Sequence, residues 1–206
     1  MKLFKFSLIL LTTLSLTNCA SRYNNINPTS VKYVSQTEKN NIKLEYQYSL
    51  LEKKYAKKET KKGVKVVSFK ITNNSDKDIV FGDDVTLNYA NSEAVNVLQP
   101  EQTFKTLKQQ TPLYLLYLLL TPLNFYTSTT NSYGVEEQTS STPIGLVVGP
   151  GLAIGNMIQS GSANKKFKTE LEQYNLNGQV IKQGESKYGL TGIKTFHHDA
   201  LKLNVK

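Results

Sequence analysis

Residues 42–50 read IKLEYQYSL, and their apolar side chains alternate with polar ones along the whole segment. Successive side chains of a β-strand point to opposite faces, so a period of two predicts a strand with one buried face. Residues 64–72 (VKVVSFKIT) form the next regular segment and are rich in the β-branched and aromatic residues that strands favour. Residues 52–65 between these strands are dominated by lysine and contain Gly63, which predicts a solvated turn or hairpin end.

Further short apolar runs predict additional strands, separated by turns rich in Asn, Asp and Gly. These predicted strands cover residues 78–81, 85–89, 180–181, 187–195 and 201–205. Two marks, Ile71-Thr72-Asn73-Asn74-Ser75 and the run from Gly184-Glu185 to Gly189-Leu190, resemble immunoglobulin-like sandwich domains of exported bacterial proteins. The resemblance implies a mainly β fold, an immunoglobulin-like antiparallel sandwich, although the Trp and the disulfide of antibody-type domains are absent.

Residues 109–164 interrupt the strand pattern, because they carry only two charged side chains. They contain two apolar segments, LYLLYLLL at residues 113–120 and IGLVVGPGLAIGNMI at residues 144–158. Neither segment reaches the roughly 20 residues that a membrane-spanning helix needs. We therefore predict that an apolar helical hairpin, formed by residues 112–125 and 144–158, is inserted into the β domain.

Small residues in the second apolar segment are spaced by four, which lets two backbones approach closely. They are Gly145 and Gly149, then Gly151 and Gly155. Pro150 lies between the two pairs and should kink or split a continuous helix, because proline lacks a backbone N–H.

One further helix is predicted beyond the insertion, because apolar residues recur at helical spacing on a single face. These residues are Ala163, Phe167, Leu171 and Tyr174. Ser160 or Ser162 can cap its start, and Asn177-Gly178 can close its end. The alternative is a β-hairpin about Asn177-Gly178.

The N-terminus has the layout of a secretory signal peptide, with Lys2 and Lys5 preceding a short apolar region at residues 8–16. The sequence Leu16-Thr17-Asn18-Cys19 that follows resembles the lipobox of bacterial lipoproteins. The resemblance implies a signal peptide over residues 1–18 and a diacylglyceryl thioether on Cys19. The alternative is a secretory signal peptide that contains Cys19 and is cleaved after Ala20.

Cysteine usage agrees with the lipoprotein interpretation, because Cys19 is the only cysteine and an exported chain cannot form an internal disulfide from it. Lipidation would remove a lone thiol from an oxidising compartment. Ala20 and Ser21 follow the cysteine, and the resemblance then implies anchoring in the bacterial cell envelope, at the outer membrane. We expect residues 19–41 to form a polar tether and residues 42–206 to form the domain that carries the insertion.

The chain is basic, with a net charge of +9. Removing Lys2 and Lys5 with the signal peptide leaves about +7, nine minus two. Arg22 is the only arginine, whereas nucleic-acid readers favour arginine forks, so we expect no nucleic-acid partner. The charge fits anionic lipid head groups or acidic polysaccharide, or simply a lysine-rich solvated surface.

No residue pattern indicates catalysis, a cofactor or a metal. His197 and His198 are the only histidines, and side by side in a strand or loop they would not converge on one ion. The acidic pairs Asp83-Asp84 and Glu136-Glu137 lie in polar segments without a sign of the burial that tunes a general acid. Gly149-Pro150-Gly151 lacks the Lys-Ser/Thr that completes a phosphate-binding loop.

The sequence therefore predicts a lipid-anchored envelope lipoprotein without enzymatic activity, which contacts the membrane or an envelope protein through its apolar insertion. The candidate contact residues are Leu113, Leu116, Leu119, Leu120, Val147, Leu152 and Ile154. One alternative is that the insertion is an extra core layer. Another is an extracellular ligand-binding module that uses the sandwich loops, and a hydrolase is less favoured.

Replacing Cys19→Ala should abolish lipidation, because the thioether forms on the cysteine sulfur. The measurement is fatty-acid labelling in cells, together with partitioning of the protein into detergent. An Ala variant that still incorporates the labelled fatty acid would show that the lipobox interpretation is wrong.

Overall fold

The structure, a computed structural model, describes residues 19–206, so the predicted signal peptide lies outside the described residues. The chain divides into two compact units. Within the described residues, the insertion unit comprises residues 19–22 and 110–162, and the β unit comprises residues 23–109 and 163–206.

Residues 19–206 contain eleven β-strands, three α-helices and two 3-10 helices. The strands of the β unit are β1 (Ser35–Lys39), β2 (Ile42–Gln47), β3 (Val64–Asn73), β4 (Ile79–Val80), β5 (Val85–Tyr89), β6 (Val97–Leu98), β9 (Val180–Ile181), β10 (Ser186–Lys194) and β11 (Leu201–Val205); those of the insertion unit are β7 (Phe125–Thr130) and β8 (Glu136–Thr142). The helices are α1 (Lys53–Lys62), α2 (Pro100–Leu107) and α3 (Gly145–Gln173), with 3-10 helices at Pro28–Ser30 and Thr111–Leu120.

The main sheet of the β unit is antiparallel and has the strand order β1-β2-β3-β10-β6. Strand β3 is central, and its Phe69 lies opposite Tyr46 of β2 and Gly189 of β10. A Cβ atom on Gly189 would lie 2.3 Å from the Phe69 ring, so glycine is required for the ring to cross β10. Two smaller antiparallel sheets pair β5 with β11 and β4 with β9.

Strand β3 is buried on both faces because its apolar residues occupy both alternating sets of positions. Val67, Phe69 and Ile71 belong to one apolar cluster, together with residues of β2 and of the two smaller sheets. Val64 and Val66 belong to a second cluster, which includes residues of α1 and of α3. The β unit therefore has β layers on one side of the main sheet and helices on the other.

The mainly β prediction is confirmed, and the predicted strands correspond to β2–β5 and β9–β11. The structure does not confirm an immunoglobulin-like sandwich, because β layers cover only one face of the main sheet and helices cover the other. The helix predicted over residues 163–174 lies in the C-terminal part of α3, where Ala163, Phe167 and Leu171 are buried. It does not begin at a serine cap, because α3 starts at Gly145.

The lysine-rich segment before β3 is helix α1, and its prediction as a solvated turn was wrong. Tyr55 and Glu59 are spaced by four, and both side chains are buried. The helix ends at Gly63, which adopts the left-handed conformation at φ 60° that glycine tolerates best. Two buried positions one helical turn apart were enough to fold the segment onto the sheet.

The predicted polar tether was also wrong from Tyr23 onward. Tyr23 and Ile26 are buried in the second cluster, and Ser35–Lys39 forms β1. The Tyr23 hydroxyl donates to Glu170 Oε2 at 2.6 Å, and the Ile26 N–H donates to the same oxygen at 2.9 Å. Burial raises the pKa of Glu170, although these two hydrogen bonds act in the opposite direction. One carboxylate of α3 thus holds the segment that follows Arg22.

Glu59 supplies a backbone partner at the point where β2 ends. Strand β2 pairs with β3 only as far as Gln47 opposite Ser68, so Val66 lies beyond its last pair. The Val66 N–H donates to Glu59 Oε1 at 2.6 Å. Burial raises the pKa of Glu59 from 4.5 to about 7, although the Val66 hydrogen bond and the charge of Lys65 lower it.

Replacing Phe69→Ala should lower the free energy of unfolding by about 3–5 kcal/mol, the range for truncating a buried Phe. The side chain is 1% exposed, and its ring lies 5.2 Å from that of Phe81. Urea denaturation measures the change. Tyr133→Ala, at an exposed aromatic residue of the insertion unit, is the control and should change stability by no more than about 0.5 kcal/mol. Equal stability of the Phe69 variant and the wild type would show that β3 is not the core.

Glu59 should make the β unit less stable as pH rises. Its pKa is raised in the folded state, so its contribution to stability is fully present below pH 4.5 and is lost as pH rises through about 7. Across this window the wild type should lose up to about 3 kcal/mol relative to Glu59→Gln. Urea denaturation at both ends of the window measures the difference.

Glu38→Gln is the control for Glu59→Gln, because Glu38 is exposed in β1. Its stability should follow the wild type at every pH. If Glu59→Gln also follows the wild type, the Glu59 carboxyl does not carry the pH dependence.

Candidate functional site

The 3-10 helix Thr111–Leu120 sorts the first apolar segment into three rows, because residues three apart lie in line along a 3-10 helix. Leu113, Leu116 and Leu119 form an exposed row, which we call the leucine ridge. Their side chains are 55%, 61% and 75% exposed. Leu115 and Leu118 belong to another row that is also exposed. An apolar surface of this kind is therefore available for contact.

The third row comprises Tyr114, Tyr117 and Leu120 and faces the interior of the insertion unit. We call it the tyrosine row. Tyr114 is buried, while Tyr117 and Leu120 are half-buried. The rings of Tyr114 and Tyr117 stack nearly parallel with centroids 6.4 Å apart. The tyrosine row thus fixes which leucines point outward.

Helix α3 contacts the backbone at the end of this 3-10 helix through its first glycines. A Cβ on Gly145 would lie 2.2 Å from the Leu120 carbonyl oxygen, and one on Gly149 would lie 3.1 Å from that of Tyr117. Among residues 19–206, and apart from the backbone of α3 itself and the neighbouring residues, no atom lies within 4 Å of the corresponding positions on Gly151 and Gly155. Within the described residues, the first pair of small residues is the one used for a close backbone approach.

The structure does not show the predicted apolar helical hairpin. The first segment is a 3-10 helix that ends before Pro122, and β7 and β8 form a β-hairpin between the two apolar segments. Proline cannot donate a backbone hydrogen bond, which opposes a helix continuing to residue 125. The β-hairpin is rich in Thr and Ser, and its strands are linked by the pairs Thr127–Ser140 and Thr129–Thr139, at 2.6 and 2.9 Å between side-chain oxygens.

The second apolar segment is the N-terminal part of α3, and Pro150 does not split it. Pro150 lies in the second turn, where its missing N–H costs a single hydrogen bond. Val147 and Ile154 are 77% and 58% exposed, whereas Leu152 is half-buried. This part of α3 therefore adds exposed apolar side chains to the insertion unit.

The insertion unit carries little charge. Its described residues include three charged side chains, Arg22, Glu136 and Glu137, and both glutamates belong to β8. Tyr126 and Tyr133 are exposed on the same hairpin and the turn beside it. Among residues 19–206, no helix has the length and apolarity to cross a membrane.

Cys19 is exposed and lies in the insertion unit, although the sequence places it far from the leucines. Its thiol and the Tyr117 hydroxyl are hydrogen-bonded. Burial raises the pKa of the Tyr114 hydroxyl, and Cys19 also lies close enough to Tyr114 to raise that pKa further. Burial, followed by the neighbouring Cys19, raises the pKa of Tyr117. The Ala20 N–H donates to Asn156 Oδ1 of α3. The predicted lipidation site is thus held against the tyrosine row, on the segment that carries the leucine ridge.

The predicted contact residues fall into two groups. Leu113, Leu116, Leu119, Val147 and Ile154 are exposed, and Leu120 and Leu152 are half-buried. Sequence reasoning missed the residues that position Cys19, namely Tyr114, Tyr117 and Asn156. The only local signal was the spacing of three between the two tyrosines. That spacing places them on one face of a 3-10 helix, but it does not by itself predict that the segment is one.

The structure also places the histidines and the Gly149-Pro150-Gly151 motif. His197 and His198 are exposed in the loop between β10 and β11, and the His198 ring lies 5.1 Å from that of Tyr48. Among residues 19–206, no three His, Cys, Asp or Glu side chains are grouped so as to hold a metal ion. Gly149, Pro150 and Gly151 lie within α3 rather than in a loop.

The β unit contains an open cleft of about 380 Å³ beside β5. Its walls include Phe81, Leu87, Val95 and Asn177. None of the residues that line it is a tyrosine or a charged residue. Its polar side chains are the hydroxyl of Thr86 and the amides of Asn88, Asn96 and Asn177, so the cleft offers hydrogen-bonding groups but no charged group.

No protein-family model matches the chain, and no curated protein or solved structure is significantly similar to it. The site is accordingly interpreted from its own residues and geometry.

Proposed function

We propose that this protein is a lipid-anchored protein of the bacterial cell envelope, whose insertion unit lies against the bilayer that holds the acyl chains of Cys19. One observation carries the proposal: exposed Cys19 and the leucine ridge occur in the same compact unit, connected through the tyrosine row. Acyl chains on the cysteine would bring the neighbouring apolar side chains to the membrane.

The composition of the insertion unit supports contact with lipid. Exposed apolar patches on soluble monomers mark sites of protein or membrane interaction, and burial of a leucine side chain contributes about 1.5–3 kcal/mol. The low charge of the unit avoids the cost of placing ions in an apolar layer. The exposed Tyr126 and Tyr133 are of the type that prefers the interface between lipid and water.

Contact rather than catalysis is the activity that this surface favours. Apart from Glu136 and Glu137, the described insertion unit has few groups that could exchange a proton near neutral pH. We therefore propose a non-enzymatic role. The immunoglobulin likeness of the β layers and delivery to the outer membrane are further parts of the proposal, and both rest on the sequence resemblances.

Placing Lys at both Leu116 and Leu119 should reduce binding to neutral phosphatidylcholine vesicles by at least tenfold, about 1.4 kcal/mol, because two charges would enter the apolar contact. The protein for this test is residues 19–206, the form that the proposed processing leaves, with Cys19→Ala to exclude acylation. Vesicle cosedimentation measures the affinity, and neutral vesicles prevent the added lysines from being attracted by lipid charge.

The matched control is Val34→Lys with Val180→Lys, which adds the same charge at two exposed apolar residues of the β unit. Its vesicle affinity should equal that of the unmodified chain. A chain that stays monomeric and binds no vesicles with the leucine ridge intact would contradict the proposal. Equal losses in the ridge variant and the control variant would contradict it as well.

A further inference from the structure

Helix α1 presents a row of lysines to solvent. Six of its ten residues are lysine, and Lys53, Lys57 and Lys61 follow one another at intervals of four. This spacing places them on one helix face, opposite the buried Tyr55 and Glu59. All three side chains are exposed. We call these three residues the lysine row.

The lysine row is unfavourable for the helix itself. Like charges at i,i+4 destabilise a helix, and both intervals of the row are of this kind. Glu59 is the one acidic residue in α1, and its buried carboxyl accepts a hydrogen bond from Val66 instead of pairing with the row. The repulsion would be relieved by an anion that lies across the row.

Neighbouring lysines increase the positive potential of this surface. The half-buried Lys58 donates through Nζ to the Lys108 carbonyl oxygen. Burial, followed by the positive charges of Lys62 and Lys108, lowers the pKa of Lys58. Lys58 and the exposed Lys62 therefore add positive charge beside the lysine row.

The chain between Cys19 and α1 is short. Tyr23 packs edge-on against Tyr55 of α1, with ring centroids 5.3 Å apart. Asn24 Nδ2 donates to Glu52 Oε2, immediately before the helix, at 2.7 Å. Tyr23 is four residues after Cys19, and four extended residues span at most about 14 Å. Lipid on Cys19 would therefore keep α1 close to the membrane surface.

We propose that the lysine row binds the anionic head groups of phospholipids in the membrane that holds Cys19. The identification of the anion as a phospholipid rests on the proposed anchoring at Cys19. The positive charge of the lysine row is independent of that proposal. Each lysine held near an anionic membrane surface strengthens binding about fivefold. This contact is separate from the leucine ridge, which acts through apolar burial and needs no lipid charge.

The test compares phosphatidylcholine vesicles with and without phosphatidylglycerol, using residues 19–206 with Cys19→Ala. Replacing Lys53→Gln, Lys57→Gln and Lys61→Gln should lower the affinity for phosphatidylglycerol vesicles roughly 100-fold and leave binding to neutral vesicles unchanged. Glutamine has a helix propensity similar to that of lysine, so α1 should persist, and circular dichroism monitors it.

The matched control replaces Lys39→Gln, Lys77→Gln and Lys182→Gln, which has the same net charge. These exposed lysines lie near Asn73, at the opposite end of β3 from α1. The control should retain most of the affinity for phosphatidylglycerol vesicles. Equal losses in the two variants would overturn the proposal, since net charge alone would then explain binding.

A second measurement needs no variant. Binding of the unmodified chain to phosphatidylglycerol vesicles should weaken as salt is added, because salt screens exposed charges. Binding that is insensitive to both salt and phosphatidylglycerol would overturn the lysine proposal while leaving the leucine-ridge contact intact. If neither the unmodified chain nor any of the lysine variants binds neutral vesicles, the leucine-ridge contact is overturned and the lysine proposal is not. Tighter binding to polygalacturonate than to phosphatidylglycerol vesicles would assign the row to an acidic polysaccharide and overturn the lipid proposal.

Discussion

Strand β3 is buried on both faces, so the β unit must pack other elements against each face of its main sheet. Phe69 and Ile71 require β layers on one side, and Val64 and Val66 require helices on the other. The cover of helices draws in the segment around Tyr23, through Tyr55 of α1 and Glu170 of α3. The position of the chain just after Cys19 is thus a consequence of how one strand satisfies its second face.

The sequence predicted β2 to β5 and β9 to β11, because alternation and β-branched runs are local properties that survive without tertiary information. It missed β1 and β6 to β8, which lie in polar segments or are very short. It failed at α1, where Tyr55 and Glu59 are the only buried residues among many lysines, and at Tyr23 and Ile26, which are too sparse to form a pattern. In both places a few side chains pack into the second apolar cluster. Their burial therefore depends on residues of α3 and β3, most of them distant in the sequence. The leucines of the insertion were recognised by composition, but their sorting into rows depends on 3-10 geometry, which the sequence did not indicate.

Two kinds of membrane contact are proposed here, and they respond to different properties of the lipid. The leucine ridge acts through apolar burial, whereas the lysine row acts through charge and is screened by salt. Lipid anchors can act together with such secondary contacts, as where an acyl chain is combined with a polybasic patch. The leucine ridge lies in the same unit as Cys19, and the lysine row belongs to the unit that begins four residues after it in the sequence.

The hydrogen bond between Tyr23 and Glu170 joins residues 147 positions apart, which would set the order of events if the chain is exported as we propose. A chain that crosses a membrane from its N-terminus delivers Tyr23 long before Glu170, so the two side chains cannot meet until most of the polypeptide has emerged. Strand β3 must wait in the same way for β10, its partner in the sheet. In the proposed export, Tyr23 would therefore remain outside the β unit's core during translocation, when an acylating enzyme and a signal peptidase would act on the chain at Cys19. The proposed maturation of the N-terminus would precede folding, and the completed fold would then bury Tyr23 and Ile26.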